Sequence, residues 1–127
     1  MDKRYKLNLL LTLTNEVDEF YGEIIKYVPT LLHERYKTSD INSSDLIISI
    51  IKAELPHLKK ILYTTFDKNL TEEDVDFLIQ LYQANYKIDL NKKLFEEVEK
   101  SKDLWFNMLI IQIDDVMDYM ENKDFIN

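Results

Sequence analysis

Two arrangements in this sequence have the spacing that metal chemistry on helices requires. Glu54-Leu55-Pro56-His57 carries the Glu-x-x-His interval of di-iron helix bundles. Such a site needs that interval on two helices, plus one Glu from each of two others, so that six side chains converge on the metals. The only other histidine is His33, and the residue three positions before it is Thr30, so a second copy is absent. Pro56 also sits inside the single copy. The simpler reading is a surface acid beside a surface or half-buried histidine.

Asp114-Asp115-Val116-Met117-Asp118 matches the Asp-Asp-x-x-Asp pattern that holds magnesium and diphosphate in isoprenoid synthases. Asp114 and Asp118 share a helical face, so one Mg²⁺ with several waters fits the spacing. Those synthases are far longer, enclose a large apolar cavity, and need a second metal-binding segment for which this chain has no candidate. An acidic solvated face is the simpler reading here too. Two histidines among many hydroxyls support no Ser-His-Asp triad beyond coincidence. Paired carboxylates are too abundant to indicate glycosidase chemistry. The chain has no cysteine, which removes thiolate ligands and cysteine nucleophiles together. One glycine, Gly22, cannot build a Rossmann loop or a P-loop. The expectation is a protein that is not an enzyme, with no cofactor and no metal.

What remains is charge. Acids gather in three groups, at Glu16–Glu23, Glu72–Asp76 and Asp114–Asp124. Each is first a solvated helix face or a helix start. As a binding surface the candidates are Glu16, Asp18, Glu19 and Glu23, then Glu72, Glu73 and Asp76, then Asp114, Asp115, Asp118 and Tyr119. Carboxylates steer a basic partner into place, and tyrosines such as Tyr21, Tyr27, Tyr36, Tyr82, Tyr86 and Tyr119 combine area, stiffness and a polar tip. The net charge of −8 fits a basic protein partner and argues against broad, phosphate-led binding of nucleic acid.

The elements that position these residues read as helices throughout. The chain has 127 residues, 46% of them hydrophobic, with one glycine and two prolines. That composition suits one all-α domain, residues 1–127, and is far too poor in turn residues for a β fold. A bundle of about five helices is expected, kinked near Pro29 and Pro56.

A first helix runs from Lys3 to about Leu13, with Thr14 or Asn15 capping the next. Its apolar run Leu7–Leu13 is interrupted by Asn8 and Thr12, so it spans no membrane. Lys3, Arg4 and Lys6 precede it as in a secretory leader, but no small-residue cleavage site follows. The chain as given reads as cytoplasmic, and as periplasmic if a leader was removed. The second helix carries Phe20, Tyr21, Ile24, Ile25, Val28, Leu31 and Leu32 on one face, with Pro29 kinking or restarting it.

Lys37–Ser44 reads as a loop. Asn42 with Asp45, or Ser43, opens a third helix whose stripe runs from Leu46 to Phe66, and Pro56 bends or divides it around Glu54–His57. At Leu70-Thr71-Glu72-Glu73-Asp74-Val75, Thr71 is the cap, Asp74 a short capping-box acid, and Leu70 with Val75 a hydrophobic staple. That fourth helix continues to about Tyr86. Asp89 or Asn91 starts a long last helix with an apolar stripe from Leu94 to Met120, which Ser101–Asp103 interrupts. Ile110 and Ile111 widen its stripe around Trp105–Met120, so it is central or offers a face to a second copy.

The order of these signals resembles a family of small, all-helical, mostly exported bacterial proteins of unknown function. Its members pair a proline-kinked helix with a Leu/Phe-Thr-Glu-Glu-Asp/Leu helix start that leads into an aromatic-Tyr helix. In this chain Pro29 stands for the kink, Leu70–Val75 for the start, and Leu78-Ile79-Gln80-Leu81-Tyr82 for the aromatic pair, with Leu81 replacing the usual Phe. The resemblance implies a helical fold and carries no activity or site residues. Taken together, the residues predict a non-enzymatic protein-binding module, such as an immunity or inhibitor protein against a basic toxin or nuclease. The alternatives are a metal- or ligand-binding helical protein, and a homo-oligomer joined through its C-terminal helix.

Overall fold

The structure, a computed structural model, describes residues 2–86 and 91–126, with side chains given through Glu121. Five helices follow one another: α1 Lys3–Thr14, α2 Glu16–Tyr36, α3 Ile41–Asn69, α4 Glu72–Gln83 and α5 Lys92–Ile126. No strand occurs among the described residues. No helix there is long and apolar enough to cross a membrane. Asp89, one of the two expected starts of the last helix, and the side chain of Asp124 lie outside the described residues.

Local chemistry at the helix starts explains most boundaries. Asp2 accepts from the Tyr5 backbone N–H (2.9 Å) and opens α1. Asn91 accepts from the Leu94 N–H (2.8 Å) and opens α5. At α4 the full capping box forms: Thr71 Oγ1 accepts from the Asp74 N–H (3.1 Å), and Asp74 Oδ2 accepts from the Thr71 N–H (2.9 Å). The Thr71 backbone N–H, and then the Thr71 hydroxyl, hold the Asp74 carboxyl below its usual pKa. Leu70 and Val75 are both buried beside the box, as a staple requires.

Five expectations about local structure are corrected. The third helix is capped by Asp40, not by Asn42 or Ser43: the Asp40 carboxylate accepts from the Asn42 N–H (3.2 Å) and the Ser43 hydroxyl (3.4 Å). The loop accordingly shrinks to residues 37–40. Asn15 occupies the start of α2 but makes no side-chain cap, because it is left-handed (φ 58°) where a capping residue is extended. Asn tolerates that conformation better than most residues, and so one residue suffices to end α1 and begin α2. Neither Pro29 nor Pro56 divides its helix, and both are exposed. A solvent-facing ring leaves the carbonyl that has lost its donor within reach of water. Finally, Ser101–Asp103 does not interrupt α5; Ser101 bonds back to the Glu97 carbonyl (2.9 Å) and meets Thr65 of α3 at 2.6 Å. The fourth helix is also shorter than expected, ending at Gln83.

Packing is organised around α3, which contacts α1, α2 and α5, while α4 lies on α1. Its buried positions, Ile47, Ile51, Leu58, Leu62 and Phe66, repeat at four- and seven-residue intervals and form the spine of a single core. Leu7, Leu10 and Leu11 join it from α1, and Ile24, Val28 and Leu32 from α2. Val75 and Ile79 enter from α4, and Leu94, Val98, Trp105, Leu109 and Ile113 from α5. The α5 stripe is therefore turned inward over most of its length. Its exposed apolar residues include Leu104, Met108 and Ile111, which share one face, and Phe95, Tyr119 and Met120.

Candidate binding surface

Four side-chain contacts fix α5 against α2. Lys102 Nζ meets Glu16 Oε2 at 2.7 Å, and Phe20 meets Trp105 edge to face with ring centres 5.8 Å apart. Tyr27 tilts against Phe106 at 6.4 Å, and Arg35 clamps Asp114. The positions advance together on both helices, so α2 and α5 run side by side in the same direction. These side chains bridge the two helices along one seam, although α2 and α5 each pack on α3 rather than closely on each other.

The lower end of that seam is held by Lys102, which also reaches Glu99 (3.4 Å) and lies over the Phe20 ring (5.4 Å). Burial works to lower its pKa, but the bond and charge of Glu16 and then Glu99 outweigh it, so the ammonium group titrates above its ordinary value. The upper end is held by Arg35. Its Nε donates to Asp114 Oδ1 (2.8 Å) and its Nη2 to Asp114 Oδ2 (2.5 Å), a fork-to-fork pairing. The Tyr36 hydroxyl donates to the same Oδ1 (2.6 Å). Arg35, and then Tyr36, hold the Asp114 carboxyl down to about 2 against the opposing effect of burial. Burial, followed by the Asp114 bond, pushes the Tyr36 hydroxyl well above the tyrosine range.

The eleven residues singled out from the sequence separate accordingly. Glu16 and Asp114 are engaged at the two ends of the seam. Glu72 and Asp76 both bind Lys6 of α1 at 2.9 Å, and Asp76 followed by Glu72 raises the lysine's pKa. These four acids hold helices together. Glu73 is exposed at the start of α4, in the part of the molecule built on α1. Asp18, Glu19 and Glu23 are exposed on α2; Asp115, Asp118 and Tyr119 are exposed on α5.

Glu19, Glu23 and Tyr27 follow at four-residue intervals and so share one face of α2. Tyr27 is 41% exposed although its ring touches Phe106. On α5, Asp103, Phe106 and Ile110 recur at helical spacing, Asp103 exposed and the other two half-buried, and Phe106 is the one that meets Tyr27. The seam thus presents an aromatic centre bordered by carboxylates from both helices. The spacing of Glu19, Glu23 and Tyr27 was readable in the sequence. The contribution of Asp103, Phe106 and Ile110 was not, because only the tertiary pairing of α2 with α5 brings them there.

Beyond the Arg35 clamp the surface opens into a groove of about 860 Å³ between the end of α2, the 37–40 turn, the start of α3 and the last turns of α5. Leu46, Met117 and Met120 supply its apolar lining, and Asp40, Asp118 and Glu121 its acids. Lys37, left-handed at φ 55°, closes the helix at its edge.

The two arrangements with metal-like spacing are placed apart. His57 Nδ1 lies 3.7 Å from Glu54 Oε2, while Gln112 donates to Glu54 Oε1 (3.3 Å). In the other, Asp114 is the Arg35 acceptor. Among the described residues no three His, Cys, Asp or Glu side chains come together as a metal set. Comparison of the chain with protein-family models, with curated proteins and with solved structures finds no match.

Proposed function

We propose that this chain is a non-enzymatic protein-binding module that receives a basic partner on the α2–α5 seam. An immunity or inhibitor protein that covers a basic toxin or nuclease is the kind of role this describes. The observation that carries the reading is the four-residue spacing of exposed Glu19, Glu23 and Tyr27 along α2, with Tyr27 itself backed by Phe106. Carboxylates at the border speed encounter with a cationic surface, while a rigid aromatic centre supplies contact area at small entropic cost. The acids that close the seam, Glu16 and Asp114, stand at its two ends, so the exposed Glu19 and Glu23 can change without loss of those ion pairs. The net charge of −8 adds long-range attraction of the same sign.

A photo-crosslinking side chain at position 27, used in the native host at low salt, tests this. A captured protein of high isoelectric point, whose binding weakens as salt rises and disappears in the Glu19→Lys, Glu23→Lys double variant, is the expected result. A folded double variant that captures the same proteins as the parent would reject the seam as the interface.

A further inference from the structure

We propose that the groove beyond the Arg35–Asp114 clamp is the pocket for a Lys or Arg side chain of the basic partner, an inference that rests on the reading of the chain as a protein-binding module. A long cationic side chain has two needs: an apolar bed for its methylene stem and acceptors for its head. Leu46, Met117 and Met120 line the groove and meet the first, methionine being the most adaptable of apolar side chains. Asp118 and Glu121, both exposed on the last turns of α5, meet the second.

The remaining charges decide the sign of the guest. Among the described residues four acids and two cations line the groove: Asp40, Asp114, Asp118 and Glu121 against Arg35 and Lys37. Arg35 is neutralised by the two-pronged bond to Asp114, and Tyr36 saturates one of the same oxygens. The positive start of α3 is covered by Asp40, whose carboxylate takes the Asn42 N–H and the Ser43 hydroxyl. Among the described residues Lys37 is therefore the lining cation not held by the clamp, and the groove is large enough for a side chain and its backbone. An anion finds Arg35 occupied; a cation finds two carboxylates.

The test uses the full chain labelled at its methionine methyl groups and titrated with acetyl-argininamide, with acetyl-citrullinamide as the uncharged counterpart. Met117 and Met120 are expected to shift with the arginine compound and not with citrulline, while Met108, which lines a different cavity beside His57, stays in place. The Asp118→Asn, Glu121→Gln variant, altered only at exposed positions, should bind at least tenfold more weakly. Lys37→Gln should bind about twofold more tightly. Equal shifts with both compounds, no shift at Met117 and Met120, or undiminished binding by the double variant would each overturn the pocket. None of these failures touches the seam, because capture through position 27 reads that surface independently. A partner lost from the Glu19, Glu23 variant but kept by the Asp118, Glu121 variant upholds the module and rejects the pocket.

Discussion

Arg35 and Asp114, 79 positions apart in the chain, meet through two parallel N–H···O bonds of 2.8 and 2.5 Å. The pair joins the last turn of α2 to α5 and stands between the seam and the groove. Its geometry is the bidentate kind in which Lys cannot replace Arg. Because both partners are partly exposed, at 47% and 31%, water screens the attraction, and its contribution to stability is well below what a buried pair would suggest.

The first prediction concerns acid. The Asp114 carboxyl titrates at about 2 in the fold against 3.8 when free. The unfolded chain therefore takes up this proton first, and the stabilisation is complete above about pH 4 and lost as pH falls toward 2. Asp114→Asn should cost about 1 kcal/mol at pH 7 and nothing near pH 2. Urea unfolding of the two proteins at both pH values measures the difference. An equal gap at pH 7 and pH 2 would show that the carboxylate charge is not the source.

The capping box gives the second. Thr71→Ala removes the acceptor for the Asp74 N–H and leaves a first-turn donor to water, at a cost of about 1 kcal/mol. Asp74→Ala should cost a similar amount, and the double variant less than the sum, since both side chains serve one reciprocal motif. Strict additivity in thermal or urea unfolding would mean that the two bonds act separately.

How far the sequence carried this description depends on the range of the interaction. Thr71, Asp74, Leu70 and Val75 lie within six positions, and their types and spacing predict the start of α4 as it stands. The buried stripe of α3 is legible for the same reason. Asp40 was passed over as a cap because three later residues, Asn42, Ser43 and Asp45, have equal capping chemistry, and only the backbone selects among them. For the site, the acids of α2 and α5 were visible as groups. Which of them face outward was not, since Glu16 and Asp114 look like Glu19 and Asp118 until Lys102 and Arg35 are brought against them from distant segments. For the apolar stripe of α5 the pattern left two readings open, central or partner-facing, and the fold selects the first for Trp105, Leu109 and Ile113, which belong to the core, while Leu104, Met108 and Ile111 stay exposed.

The prolines supply a third prediction. Each lies in an unbroken helix with its ring exposed, so each forgoes one backbone bond without the compensation of packing. An interior proline is unfavourable by up to about 3 kcal/mol relative to alanine. Pro29→Ala and Pro56→Ala should each raise stability by about 1–2 kcal/mol, since the existing backbone has already accommodated part of the strain. A rise in the thermal midpoint is the readout. A fall at Pro56 would instead indicate that the local backbone shape is needed to offer the Glu54 carbonyl to Trp105.

That last contact is the subject of the fourth prediction. Trp105 is 1% exposed, stands edge-on to Phe20, and donates its indole N–H to the Glu54 carbonyl at 3.1 Å. It is also the chain's one tryptophan, so emission from the native protein should be blue-shifted and should move to the red in a single urea transition. Trp105→Phe keeps an aromatic ring against Phe20 but deletes the donor and leaves space beside α3. The loss of volume and of one hydrogen bond should together cost about 2–3 kcal/mol by circular dichroism. Trp105→Ala should cost about 3–5 kcal/mol, because the aromatic pair is lost as well. The order of the two variants is the sharper criterion. If Phe proved as costly as Ala, the indole N–H bond to Glu54 would outweigh packing at this position, and the junction of α3 with α5 would have to be regarded as polar in origin.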